Sequence, residues 1–390
     1  MNKEERKEER KENKGKKRKI KKIILSIFCI LFVLLLVGDY ILTVYVYNDN
    51  FNIRCDTYEP TSFKVEDFDG LTRTRYEFTS NKGQKLVGYL YEADTQNSES
   101  EAETESENEN SEGTSSKKGI IIMAHGFGGA HNSYMDIANE FAQNGYYVFA
   151  YDATGCDESE GEGVGGFPQG IADLDAAITF VEGCDDIPEL PIGLFGHSWG
   201  GYCVSAVLQY HPEVNAVIEC CGFNESPKLF EEHGKDQAGD FIYAMTPCVR
   251  LYERIKFGKY AKTTAMDGFA ASDADVMVVH SKDDEVVPVY LGYDIYYEKY
   301  KDDSRFTFVE YEDKGHNYIF NDHTYIDELN EEFAAYVETL DYDYEAEENN
   351  DRFAEDKAAW IHENLDREKY CNTLDPEVME MFVDFYEEKM

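Results

Sequence analysis

Leu194-Phe195-Gly196-His197-Ser198-Trp199-Gly200-Gly201 is the stretch on which the reading of this chain turns. It sets a Gly-x-Ser-x-Gly pattern directly after a short apolar run and at the start of helical spacing, the strand-turn-helix context in which that pattern carries chemistry. A serine on so tight a turn has a strained backbone, and side chains at the two flanking glycines would collide with neighbouring elements. The turn projects the Ser198 hydroxyl into a cleft, and the helix N-terminus behind it favours negative charge at a reacting oxygen. Ser198 is the candidate nucleophile.

Outward from this turn, short β-branched or aromatic runs at 119–124, 147–151, 192–195, 216–220, 276–280 and 306–311 alternate with helical patterns at 134–144, 169–183, 200–210 and 289–301. The alternation predicts an α/β fold with a doubly wound, mostly parallel sheet. Runs at 75–79 and 86–91 around Ser80-Asn81-Lys82-Gly83 predict a hairpin added at one edge. Residues 224–269 interrupt the alternation and are locally neutral, with seven acidic and seven basic residues. They read as a helical cap whose apolar stripe, Phe241, Met245, Val249 and Tyr252, is expected to face the cleft and bind substrate.

A serine hydroxyl needs a base, and the base needs an orienting carboxylate. For the chain order serine, acid, histidine, only His316, His323 and His362 lie late enough. His316 follows the run 306–311 and is the expected base, with His323 the fallback. The acid should follow the preceding strand, where Asp283, Asp284 and Glu285 are adjacent; Asp284 is the first choice and Asp283 the next. An oxyanion hole of backbone N–H groups is expected from Phe127, in His125-Gly126-Phe127-Gly128-Gly129, and from Trp199. That glycine-rich loop lacks the Lys-Ser/Thr of a phosphate-binding loop, and neither a metal nor a cofactor is expected.

Composition limits the partners. The 390 residues carry a net charge of −42, which disfavours nucleic acid. Residues 1–22 nevertheless hold twelve Lys or Arg against five Glu, a net of +7 that leaves −49 for the remainder. After this basic head, 23–37 contains no charge, and 40–47 is again apolar after Gly38 and Asp39. Together, 23–47 have the length of a helix that crosses a bilayer. No small-residue cleavage site follows Val37, so an uncleaved anchor is expected rather than a signal peptide. Basic residues before the span and their scarcity after it place the N-terminus in the cytoplasm and the catalytic domain outside.

Residues 48–70 read as a stalk or a covering segment, 71–340 as the main domain and 341–390 as an acidic loop with C-terminal helices at 352–364 and 376–388. A chain starting near Asn48 is expected to keep the activity. The acidic insertion at 94–118 has too little apolar surface to order itself. The eight cysteines outside the span show no disulfide framework and read as buried free thiols.

The motifs Tyr151-Asp152-Ala153-Thr154-Gly155 and Asp284-Glu285-Val286-Val287-Pro288 complete a resemblance to the α/β-hydrolase superfamily over roughly 71–340. The chain looks most like capped serine hydrolases grouped with monoacylglycerol lipases, lysophospholipases and serine aminopeptidases. The resemblance implies a cofactor-free acyl-enzyme mechanism in which Ser198 attacks, His316 carries the proton and Asp284 holds the imidazole. Many relatives have Arg-Gly-His/Tyr-Gly where this chain has Ala153-Thr154-Gly155-Cys156-Asp157. The expected activity is acyl-ester hydrolysis. Its rivals are an aminopeptidase-like serine peptidase, with Glu231 and Glu232 as candidate amine ligands, and a non-catalytic surface binding protein on the same fold.

Overall fold

The strands are β1 (Leu71–Thr79), β2 (Lys85–Ala93), β3 (Ile120–Ala124), β4 (Tyr147–Tyr151), β5 (Ile192–His197), β6 (Ala216–Cys220), β7 (Asp275–Ser281) and β8 (Phe306–Tyr311), the central ones short β-branched or aromatic runs and β1 largely polar. The computed structural model describes residues 3–93 and 117–390, so the expected insertion lies outside the described residues except for Lys117 and Lys118. One sheet orders the strands β1-β2-β4-β3-β5-β6-β7-β8. From β4 to β8 the pairs are parallel, and the β1–β2 hairpin adds to β4 antiparallel. Every residue of β3, β5 and β6 is buried, as strands covered on both faces require.

The helices are α1 (Lys3–Phe51), α2 (Met135–Gln143), α3 (Pro168–Gly183), α4 (Trp199–Val207), α5 (Ser226–Ala238), α6 (Ile242–Phe257), α7 (Ala265–Ala271), α8 (Tyr293–Tyr300), α9 (Thr324–Val337), α10 (Asn350–Asn364), α11 (Arg367–Tyr370) and α12 (Pro376–Lys389). On one face of the sheet, α3, α4 and α8 pack through Ile171, Leu174, Val204, Val207 and Tyr296. On the other, α2 and α12 pack through Ile137, Phe141, Phe382 and Tyr386.

The expected end of the main domain at 340 falls short of its core. Helix α12 lies on the face that α2 alone leaves open, and the Tyr386 hydroxyl donates to the Leu194 carbonyl of β5 at 2.7 Å. Gly193 makes room for it, since a Cβ there would stand 2.8 Å from the Tyr386 ring. The acidic segment and α9–α11 are inserted between β8 and that helix, joined through aromatic contacts such as Phe333 on Trp360 at 5.1 Å.

The N-terminal helix also departs from expectation. It does not end with the apolar run at 47 but continues to Phe51. Its side chains from Ile20 to Val37 are exposed and apolar apart from Lys21 and Lys22 and a few small residues, yet Thr43 and Tyr47 are fully buried. From Asp39 onward one face lies along α6, where the Cys248 thiol donates to Asp39 Oδ2 at 3.5 Å. Nor do 52–70 stand off as a stalk. Cys55 N donates to Gly155 O at 2.9 Å and Val164 N to Ile53 O at 3.0 Å, and the backbone at Cys55, a free thiol, pairs with that at Cys156 as a single parallel β-bridge. A chain started near Asn48 would therefore lose Tyr47 from the protein interior.

Candidate active site

The turn between β5 and α4 sets Ser198 at φ 58°, ψ −117°, a conformation costly for any residue with a Cβ. Its flanking glycines are obligatory on steric grounds. A Cβ at Gly196 would lie 2.3 Å from Gly200 O, and one at Gly200 would lie 1.9 Å from Ala124 O. Ser198 N donates to Cys220 O at 2.8 Å, which pins the turn to the end of β6.

The hydroxyl of Ser198 lies 2.9 Å from His316 Nε2, and His316 Nδ1 lies 2.7 Å from Asp284 Oδ2. Both partners come from loops at the carboxyl edge of the sheet, after β8 and β7. The other Asp284 oxygen accepts from the amides of Val286 at 2.9 Å and Val287 at 2.7 Å. Burial opposes charge on Asp284, but hydrogen bonds from His280 and His316 outweigh it and hold the carboxyl well below the usual range. Asp283, the other candidate acid, instead accepts from Gly315 N at 2.9 Å and Ser281 Oγ at 2.6 Å, and so ties the two loops together. His323 pairs with Asp327 on an exposed helix end, and His362 faces Glu59 at the surface.

Phe127 and Trp199 both line the cavity that holds Ser198 and His316. Trp199 opens α4, where the first N–H groups of a helix have no partner within it.

Two histidines that sequence reasoning left aside support this arrangement. His197, buried within the elbow, donates through Nε2 to the backbone oxygen of His316 at 2.8 Å and accepts at Nδ1 from the Tyr134 hydroxyl at 2.9 Å. That hydroxyl accepts in turn from Gly126 N at 3.1 Å. Burial and the neighbouring His316 push the His197 pKa down to about 3, which keeps it neutral and fixes this tautomer. One chain of hydrogen bonds thus links the glycine-rich loop, the elbow and the base. The second, His280 on β7, places Nε2 2.7 Å from Val287 O and 3.2 Å from Asp284 Oδ2. Burial lowers the His280 pKa, but Asp284 and the buried Glu219 outweigh it and raise it. Its place four residues before the acid was the available signal. Replacing His280 by alanine should lower kcat about ten- to a hundredfold with KM little changed, since small misplacements of a catalytic group cost that much. Steady-state kinetics on an ester checks this, and a loss under twofold would mean that the two amides suffice to hold Asp284.

The expected substrate stripe on the cap needs correction. Met245 and Val249 are 2% and 0% exposed, but they pack with Tyr47 and Phe230, and Tyr252 sits edge-on to Tyr47 at 5.4 Å. Phe241 is 52% exposed. The stripe is the seat of α1 and lines no part of the cavity. That cavity, of about 320 Å³, is walled by Phe51, Phe127, Phe167, Phe223, Leu229 and Val286.

Among clusters suited to a cation, His131, Asp152 and Asp157 come within reach of one another. His131 Nδ1 lies 2.6 Å from Asp152, and Asp157 accepts from Thr57 and Asn132, so the group acts as a polar strut below the β4 loop.

Residues 115–231 match the family model described as serine aminopeptidase, S33. The chain is 29% identical over 129 residues to the proline iminopeptidase of Clostridioides difficile, covering 32% of this chain and 41% of that protein. It is 34% identical over 90 residues to the monoglyceride lipase of Rattus norvegicus, covering 23% of this chain and 29% of that one. The chain thus spans less than half the length of these curated relatives. Among solved structures, an esterase of Pyrococcus furiosus superposes with a TM-score of 0.50 at 15% identity, over 74% of this chain and 96% of that one. The sheet order and the strained serine elbow between β5 and α4 agree with that superposition, and the chain has the α/β-hydrolase fold, with residues 115–231 similar to the S33 serine aminopeptidases.

Proposed function

We propose that the protein is a membrane-anchored serine hydrolase that cleaves acyl esters through Ser198, His316 and Asp284. The hydrogen-bonded order of these three side chains is the observation that carries the reading. As Ser198 Oγ bonds to the acyl carbon, His316 Nε2 takes its proton, and the carbonyl π electrons move to the oxygen facing the Phe127 and Trp199 amides. The carbon–oxygen bond to the leaving alcohol then breaks, with the proton passing from His316 to that alcohol. A water molecule repeats the sequence on the acyl-enzyme, releasing the acid and restoring Ser198. Asp284, held anionic, keeps the imidazole in the correct tautomer and stabilises its charged form.

Ester is favoured over aminoacyl amide by the cavity lining. Among the described residues it is lined mainly by aromatic and aliphatic side chains, with His233 and Asn317 as polar members beside the Ser198–His316 pair and no carboxylate, whereas Glu231 and Glu232 line a separate cavity with Lys228 and Lys235. The anchor rests on the exposed apolar run of α1, the one described helix long and apolar enough to cross a membrane. Because Thr43 and Tyr47 are covered by protein, lipid contact is assigned to about Ile20–Leu42, with the basic head in the cytoplasm and the hydrolase outside.

A panel of p-nitrophenyl esters and aminoacyl-p-nitroanilides, prolyl included, tests this on the full-length protein. The expected result is faster cleavage of butyrate or hexanoate than of any amide. The prolyl amide being cut fastest would replace the esterase reading with the peptidase one, which the S33 match favours.

A further inference from the structure

We propose that the last turn of the N-terminal helix is part of the substrate site, with Phe51 a specificity-determining residue that limits the depth of the acyl pocket. The proposal rests on the hydrolase reading above.

Phe51 lines the same cavity as Ser198 and His316. Its ring centroid stands 4.8 Å from that of Phe167, 6.0 Å from Phe230 and 6.4 Å from Phe127, so it closes an aromatic wall whose other members come from the β4 loop, the cap and the oxyanion loop. An apolar wall of this kind sets how many methylenes an acyl chain can bury before it meets resistance.

The helix end is locked in place rather than laid on the surface. Tyr47, 0% exposed, donates its hydroxyl to the buried Glu253 Oε1 at 2.7 Å, and its ring stacks on Phe230 at 6.1 Å. At the next residue, Asn48 Oδ1 accepts from the Tyr252 hydroxyl at 2.8 Å. The glycine-rich stretch Gly161-Glu162-Gly163-Val164-Gly165-Gly166 is shaped around this end of the helix. A Cβ at Gly166 would lie 2.3 Å from the Tyr47 hydroxyl, and one at Gly163 would lie 2.5 Å from Asn52 O. A wall fixed on both sides cannot yield to a longer substrate without cost, which is what a selectivity element requires.

The experiment is a chain-length profile of kcat/KM, from acetate to dodecanoate p-nitrophenyl esters, on full-length protein in detergent. Phe51→Ala should move the optimum at least two carbons longer, raising the rate on that longer ester relative to the wild-type optimum about fifteenfold, at nearly fourfold per methylene. Phe51→Trp should move it shorter. Tyr45→Ala, on the exposed side of the same helix at 66% exposure, should keep the wild-type profile. If the alanine variant melts early, Phe51→Leu takes its place with a shift of the same sign. Unchanged profiles in both the enlarged and the tryptophan variants, with wild-type Ser198 labelled by a fluorophosphonate, would overturn the role of Phe51 alone. Absence of that label in folded wild type would overturn the hydrolase reading and this proposal with it.

Discussion

Replacing Ser198 by alanine should lower ester hydrolysis about 10⁴- to 10⁶-fold while leaving the thermal melt within a degree or two of wild type. The size follows from the unit the residue belongs to. In the proposed mechanism His316 and Asp284 contribute through the serine oxygen, so removing that oxygen would forfeit the combined effect and leave binding plus the proposed oxyanion donors, the amides of Phe127 and Trp199. The fold should survive because, among the described residues, the hydroxyl bonds only to His316, and alanine bears the φ of 58° at no greater cost than serine. Fluorophosphonate labelling followed by mass spectrometry gives a second readout: wild type should carry the adduct on Ser198, and the variant should carry none. Residual hydrolysis within tenfold of wild type would place the nucleophile elsewhere.

Gly200→Ala should be more damaging to folding than to chemistry. The new methyl would meet the Ala124 carbonyl at 1.9 Å and the His125 carbonyl at 3.0 Å, both backbone atoms of a fully buried strand and the turn after it. Neither can rotate away as a side chain would, so relief requires β3 and β5 to separate at the elbow. A loss above about 4 kcal/mol, or no soluble folded protein, is expected. Gly183→Ala serves as the control, since a methyl there meets nothing within 4 Å and should be neutral or stabilising by about 0.4–1 kcal/mol. Denaturant melts of the two variants check the contrast, and a Gly200→Ala protein as stable as wild type would mean that the packing at the elbow is looser than drawn here.

The elbow was legible in sequence because its determinants are local: an apolar run, two glycines about a serine, and helical spacing directly after. The parallel strands were legible for a similar reason, each being a short apolar run with a clear boundary. The choice of Asp284 over Asp283 was harder, since three carboxylates stand side by side. What separates them is which oxygen reaches His316 and which reaches Gly315, a matter of loop path rather than composition.

The cap stripe was misassigned for a different reason. Apolar residues at Met245, Val249 and Tyr252 announce a buried face, but periodicity carries no information about the partner, and here the partner is a helix some two hundred residues earlier. The same limit hid Phe51, which follows the polar run Asn48-Asp49-Asn50 and so reads as lying past the helix. Asn48 and Asn50 in fact bond back along the helix, Asn48 Nδ2 to Val44 O at 2.7 Å and Asn50 Nδ2 to Val46 O at 2.8 Å.

The hydrogen bond from Tyr386 to Leu194 spans 192 positions of chain and meets the strand that leads into the nucleophile. At about 5–20 residues per second, the ribosome delivers that tyrosine some 10–40 seconds after the strand it completes. Throughout that interval β5 has the cover of α2 but lacks the part that α12 supplies. The packing beneath the elbow is therefore completed only when the residues of α12 have been made, long after the elbow itself.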